Sequence, residues 1–202
     1  MTKILVGILA YNRQVDVDLM KTLLFIERTN KYHLDYLFPI SSHLARNRNY
    51  VVTEALKGDY DAVLFLDADM SIPDETFLDK MIECGFKYDS KVIGGAYRMK
   101  KGDEYILIAG TKDKDGKLDN IREKPKGAML VEGLGTGCML IYREVLQKVD
   151  DPHFQIIDKP RLEVEPEDFG FVRKALEKGF KAVLCPHFET RHWGSRAWIF
   201  EP

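Results

Sequence analysis

Two carboxylates one residue apart, Asp67 and Asp69, close the segment Asp61-Ala62-Val63-Leu64-Phe65-Leu66-Asp67-Ala68-Asp69. The apolar run before them is too short to cross a membrane and has the length of a strand buried on both faces. In an open α/β sheet, ligands collect beyond the carboxyl ends of such strands. Two acids placed there repel each other and resist ionising together unless a cation lies between them. Hard oxygen ligands suit Mg²⁺ or Mn²⁺, ions that commonly share their coordination sphere with substrate phosphates. A solvated strand end, with Asp as a helix cap, is the plainer alternative.

Other segments carry chemistry of their own. In Gly7-Ile8-Leu9-Ala10-Tyr11-Asn12-Arg13 a strand runs into a loop where Tyr11 can stack and Asn12 offers both a donor and an acceptor. In Ala45-Arg46-Asn47-Arg48-Asn49 two arginines interrupt an amphipathic helix, which suits them to solvent or to a phosphate. Arg forks grip diphosphate oxygens bidentately. Glu165-Pro166-Glu167-Asp168-Phe169 sets acids at a helix start, where the dipole favours them and where they also serve as caps. Cys185, His187 and His192 lie near one another in sequence, but no paired Cys-x-x-Cys supports a zinc site. The 3 cysteines, Cys84, Cys138 and Cys185, are widely separated among apolar neighbours and read as reduced, structural thiols.

The elements that must position these residues alternate between strand and helix periodicity, which predicts βαβ units and a mainly parallel sheet. Strands are expected over Lys3–Ala10, Leu37–Ile40, Asp61–Leu66, Val92–Ala96, Cys138–Tyr142 and Phe180–Leu184. Helices are expected over Val15–Arg28, from a Ser41 or Ser42 cap to about Leu56 with Gly58 as stop, and from Pro73 to about Phe86. Two more are expected over Arg143–Val149 and Pro166–Glu177, the latter closed by Gly179. Between them, Tyr105–Ala109, the Asp113–Gly116 turn and Ala128–Val131 suggest a small ribbon beside the main sheet. Nothing regular is expected beyond Leu184.

The chain has 202 residues, enough for one domain with a substantial core. Its 30 Lys and Arg against 32 Asp and Glu leave a net charge of −2, so no global basic field argues for nucleic acid. The basic cluster Arg98-Met99-Lys100-Lys101 reads as a solvated loop. No apolar run approaches the roughly 18 residues of a membrane span, and Met1 leads straight into a strand without a signal-peptide core. A cytoplasmic location is the expectation.

The order of these pieces, from about Ile4 to Gly194, resembles the GT-A glycosyltransferases, close to family 2. The segment ending Ala10-Tyr11-Asn12-Arg13 is similar to the family's Pro-x-Tyr-Asn-Arg opening, with Ala10 in place of the small or Pro residue. The resemblance therefore implies that Ala10, Tyr11, Asn12 and Arg13 hold the nucleotide base and ribose and that Arg46 lies near the nucleotide. It places Asp67 and Ala68 near the ribose or the metal site and Asp69 on the metal. Arg191-His192-Trp193-Gly194 resembles the family's late His, so His192 completes a set of Asp67, Asp69 and His192 for Mn²⁺ or Mg²⁺. Gly95, in Gly94-Gly95-Ala96-Tyr97, would lie near the donor sugar, and Gly135-Thr136-Gly137-Cys138 resembles an acceptor-side strand. Asp168 would act as general base, with Glu167 supporting it. Trp193, Trp198 and Tyr97 are candidate sugar platforms.

The implied protein is a single GT-A α/β domain over 1–202, with a nucleotide-sugar half to about residue 100 and an acceptor half beyond. The implied activity is inverting transfer of a sugar from a UDP- or GDP-linked donor to an acceptor hydroxyl. Three alternatives stand beside it. A retaining enzyme resembling mannosylglycerate synthase would use the same metal constellation. A nucleotidyltransferase would want a Gly-rich, basic loop after the first strand, which Ala10-Tyr11-Asn12-Arg13 does not supply. A catalytically silent nucleotide-sugar-binding module is opposed by the joint presence of Asp69, Asp168 and His192.

Overall fold

A computed structural model describes residues 1–158, 160, 164–194 and 197–202, with Asn12 described through its backbone alone. The first half runs β1 (Thr2–Leu9), a 3-10 turn (Tyr11–Arg13), α1 (Val17–Arg28), β2 (Tyr32–Leu37), α2 (Leu44–Lys57), β3 (Ala62–Asp67), β4 (Met70–Ser71), α3 (Phe77–Tyr88) and β5 (Val92–Gly95). The middle holds β6 (Ala109–Lys112), β7 (Leu118–Asn120), β8 (Met129–Leu130), β9 (Gly133–Leu134), β10 (Cys138–Tyr142) and α4 (Arg143–Lys148). The last part holds β11 (Ile157–Asp158), β12 (Val164–Glu165), α5 (Glu167–Glu177), β13 (Ala182–Cys185), β14 (Thr190–Trp193) and β15 (Ala197–Phe200).

The main sheet has the order β2-β1-β3-β10-β5-β13-β8. β2, β1 and β3 run parallel, and so do β5 and β13. β10 runs antiparallel between β3 and β5, and β8 antiparallel on the edge. The sheet is thus mostly parallel, as expected, with a reversed strand that apolar periodicity does not distinguish. β3 shows why these residues make a central strand. Val63 and Phe65 face one core cluster, while Ala62, Leu64 and Leu66 face the other, and all five are buried. Burying each of the larger four contributes roughly 1.5–3 kcal/mol. The first cluster packs against Val51 and Val52 of α2, and Phe154 there meets Phe65 edge-on at 5.5 Å and stacks on Phe171 at 4.7 Å. The second packs against Leu19 and Leu23 of α1 and Met81 of α3.

Several boundaries differ from the sequence reading, each for a local reason. Asp16 caps α1 by accepting the Asp18 N–H at 2.8 Å, so the helix opens at Val17. The second strand is Tyr32–Leu37 rather than Leu37–Ile40, because that segment lies in register with Thr2–Gly7 on an edge where its faces are only half-buried. Ser41 Oγ accepts the His43 N–H instead of capping α2. Asp74 holds the Thr76 N–H and hydroxyl, which delays α3 to Phe77. The ribbon forms from β7, β6 and β9, whereas β8 leaves it to join β13. Its turn closes on Asp113, whose Oδ1 accepts from Asp115 and Lys117 while Gly116 takes φ +78°.

The largest departure lies beyond Leu184. β14 pairs with β15 and also with the two-residue β4, setting His192 opposite Met70 and Arg191 opposite Ser71. Among the described residues no helix is long and apolar enough to cross a membrane.

Candidate functional site

Asp67 ends β3 and lies in register with Leu9 at the end of β1. The two carboxyl ends open onto a cleft of about 540 Å³ lined by Tyr11, Asp16, Asp67, Ala68, Asp69 and Trp193. That volume is of the size that holds small-molecule ligands. Ala10 is buried and donates its N–H to Pro39 O, so it shapes the loop from behind. Tyr11 is exposed, Arg13 is exposed at φ 60°, and the Asn12 side chain lies outside the described residues. Ala68 contributes backbone, its carbonyl accepting the Asp16 N–H at 2.7 Å.

Arg46 and Arg48 part company. Arg46 is exposed, whereas Arg48 is 3% exposed on the inner face of α2. Its guanidinium pairs with Glu167 and lies 3.5 Å from Asp67 Oδ1. Its Nε is buried without a hydrogen-bond partner among the described residues, as is the Thr136 hydroxyl. The helical spacing of Arg48 with Val51, Val52 and Ala55 places it on the buried face. A charge on such a face demands a buried acid, and that spacing was the signal for choosing Arg48 as the residue that meets the site acids.

Asp69 is held by the C-terminal hairpin. Trp193 N–H donates to Asp69 O at 2.7 Å, and the register of β14 on β4 brings His192 Nε2 to 3.6 Å from Asp69 Oδ1. His192 Nδ1 lies 2.9 Å from the Arg98 carbonyl, which can only accept. Nδ1 therefore carries the proton and Nε2 presents a lone pair. Burial pushes the His192 pKa below its ordinary value, which favours this neutral form. The other Asp69 oxygen is paired with Lys100. The basic cluster containing Lys100, read from sequence as a solvated loop, thus sends one side chain into the site. Among the described residues, no three His, Cys, Asp or Glu side chains stand together as a complete metal cage.

Asp67 and Asp168 are acids under strain. Burial raises Asp67, with Arg48 opposing and Asp69 adding to the rise. Burial likewise lifts Asp168 to about 6, with Arg48 holding it down and Glu167 pushing it up. Glu167 and Asp168 fill the first turn of α5, where Asp168 Oδ1 accepts the Phe169 N–H at 2.8 Å.

The small residues turn out to admit protein rather than sugar. A Cβ on Gly95 would meet Cys138 Sγ at 2.7 Å and the Phe188 ring at 2.9 Å, so side chains of the chain itself fill the space expected for a donor sugar. Gly135 and Gly137 make room for Tyr97, whose hydroxyl would lie 2.1 Å from a Cβ on Gly135. That hydroxyl accepts the Gly137 N–H at 2.9 Å, and its ring packs edge-on against His192 at 5.4 Å. Tyr97 and Trp198 are buried, so of the three aromatic candidates it is Trp193 that lines the cleft. Cys185 Sγ lies 2.8 Å from Cys84 Sγ, both thiols buried, and among the described residues Cys185, His187 and His192 do not gather into a group that could hold a metal.

No protein-family model matches the chain, and neither does any curated protein. Among solved structures, A197 from STIV is similar over 96% of this chain and 86% of that one, with a TM-score of 0.67 and 23% identity. TarS 1–349 from S. aureus corresponds over 91% of this chain and 58% of that one, at 12% identity and a TM-score of 0.49, too loosely to carry an argument. The likeness to A197 is one of fold: this chain shares that protein's architecture over nearly its whole length.

Proposed function

We propose that the chain is a glycosyltransferase of the GT-A kind, which moves a sugar from a UDP- or GDP-linked donor to an acceptor hydroxyl with inversion. One observation carries the reading: Asp69, which lines the cleft, brings its Oδ1 to 3.6 Å from the lone pair of the buried His192 Nε2. Two lone-pair donors so placed repel unless a proton or a cation lies between them. A hard carboxylate and a neutral imidazole, with Asp67 next along the strand end, suit Mn²⁺ or Mg²⁺. When bound there, such an ion would neutralise the donor diphosphate as a leaving group.

The remaining work falls to the chain's own residues. Exposed Tyr11 offers a face for the base, and Trp193 lines the same cleft. Arg48 anchors Asp67 and Glu167, so the strand end and the start of α5 keep a fixed relation. Asp168 takes the proton of the acceptor hydroxyl as the oxygen attacks the anomeric carbon and the bond to the diphosphate breaks. Its elevated pKa suits a base working near neutrality. The acceptor class, whether small molecule, glycan, protein or modified nucleic acid, is set by surfaces that this chemistry does not define.

The experiment is a panel of UDP-, GDP- and TDP-sugars incubated with Mn²⁺, with free nucleotide diphosphate measured for wild type and Asp69→Asn. Release from one donor, lost in the variant, is the expected result. Release from none, or equal release by both proteins, removes the proposal.

A further inference from the structure

Lys100 is the one cation of the 98–101 cluster that the fold turns inward onto Asp69, and its placement is not casual. The segment around it is fastened to the C-terminal hairpin at two points. His192 Nδ1 bonds the Arg98 carbonyl at 2.9 Å, and Trp198 Nε1 donates to Gly102 O at 3.2 Å. Within the segment, Met99 N–H donates to Ile106 O and Lys101 N–H to Met99 O. The Lys100 stem passes Gly194, where a Cβ would come within 3.4 Å of Cδ. The ammonium ends on Asp69 Oδ2, and the Lys100 side chain is only 26% exposed. The same hairpin that delivers His192 to one oxygen of Asp69 therefore delivers Lys100 to the other.

We propose that Lys100 is a resident counter-cation of Asp69, and that its ammonium and a divalent cation exclude one another there. The inference rests on the metal role of Asp69 and His192 proposed above. Its physical basis is charge. Arg48 pairs with Asp67 and Lys100 with Asp69, so each of the two neighbouring acids has its own basic side chain beside it. A dication shared by Asp69 Oδ1 and His192 Nε2 would lie a few ångströms from that ammonium, and like charges at such range in a partly buried site repel strongly. Entry of the ion requires the ammonium to leave. A donor diphosphate offers the displaced Lys100 a new anionic partner, so ion and donor help each other to bind.

The test measures Mn²⁺ binding without any nucleotide, by the electron paramagnetic resonance signal of the free ion, for wild type, Lys100→Gln, Lys100→Arg and Asp69→Asn. Lys100→Gln should bind Mn²⁺ about tenfold or more tightly than wild type. Lys100→Arg keeps the charge and should bind as wild type does, and Asp69→Asn should lose binding. Equal or weaker binding by Lys100→Gln overturns the proposal. If Asp69→Asn alone changes binding, the metal role stands and the role of Lys100 falls. If no donor is turned over but Lys100→Gln still tightens Mn²⁺, the counter-cation stands and glycosyl transfer falls. Turnover that persists in EDTA and is lost in Lys100→Gln also overturns it, because Lys100 would then be the working cation itself.

Discussion

Arg48 and Glu167, 119 positions apart in the chain, form a buried ion pair that ties α2 to the first turn of α5. Removing one partner of such a pair strands a buried charge, a change that costs about 3–5 kcal/mol. Arg48→Met should therefore lower the urea midpoint by a large margin, whereas Arg46→Ala, at an exposed position, should shift stability by no more than about 0.5 kcal/mol. Similar effects from the two substitutions would contradict the assignment of Arg48 as the buried partner.

The pH profile should report Asp168. A base with a pKa of about 6 must lose its proton to act, so kcat/KM should rise through pH 6 and level off above it. Glu167 pushes that pKa up. Glu167→Gln should then move the rising limb to lower pH and cost less in turnover than loss of Asp168. A limb that moves upward, or stays in place, would argue against direct coupling of the two acids.

Asp168→Asn should reduce turnover by roughly 10² to 10⁴ while donor binding survives. Its effect on stability has a definite sign. The folded-state pKa lies above the ordinary value of 3.8, so folding takes up a proton between about pH 4 and pH 6. The stability from this group is present at low pH and is lost as pH rises through 6. The neutral Asn escapes that loss, so the variant should melt above wild type at pH 7.5, and the gap should close near pH 4. The anomeric configuration of the product, read from NMR couplings, should be inverted; a retained configuration would move the reaction to the retaining class.

His192→Ala should weaken Mn²⁺-dependent turnover far more than His187→Ala, because His187 is exposed while His192 faces Asp69. Metal titrations of both variants check this, and comparable losses would count against His192 as a ligand.

Gly135→Ala should destabilise the fold by about 1–3 kcal/mol, the usual result of overpacking, since the new methyl meets the Tyr97 hydroxyl. Tyr97→Phe in the same chain removes that oxygen and should restore part of the loss. Strictly additive effects in denaturant titrations would show that the two positions do not touch.

The parts of this architecture that repeat with a short period were legible. The apolar run into Asp67, the amphipathic faces of α1 and α3, and the acids opening α5 all declare themselves within a dozen residues. What stayed hidden depends on pairings between distant segments. The reversal of β10 lies in its hydrogen bonds to β3 and β5, not in its composition. Lys100 looks like any loop lysine until the β14–β15 hairpin is placed beside it. Arg46 and Arg48 differ only in phase along α2, and the phase was readable from Val51, Val52 and Ala55. The glycines pointed correctly to close approach, but the approaching groups are Tyr97, Cys138 and Phe188.

The pairing of β14 with β4 also orders events in time. A ribosome releases the Asp67–Asp69 strand end early and the segment carrying His192 and the tether for Arg98 much later. The main sheet contains none of the hairpin strands, so a growing chain can pair that sheet before His192 reaches Asp69, and Phe200 of β15 then completes the first core. A nascent chain stalled before Thr190 would present the strand end of β3 without the hairpin that sets His192 beside Asp69.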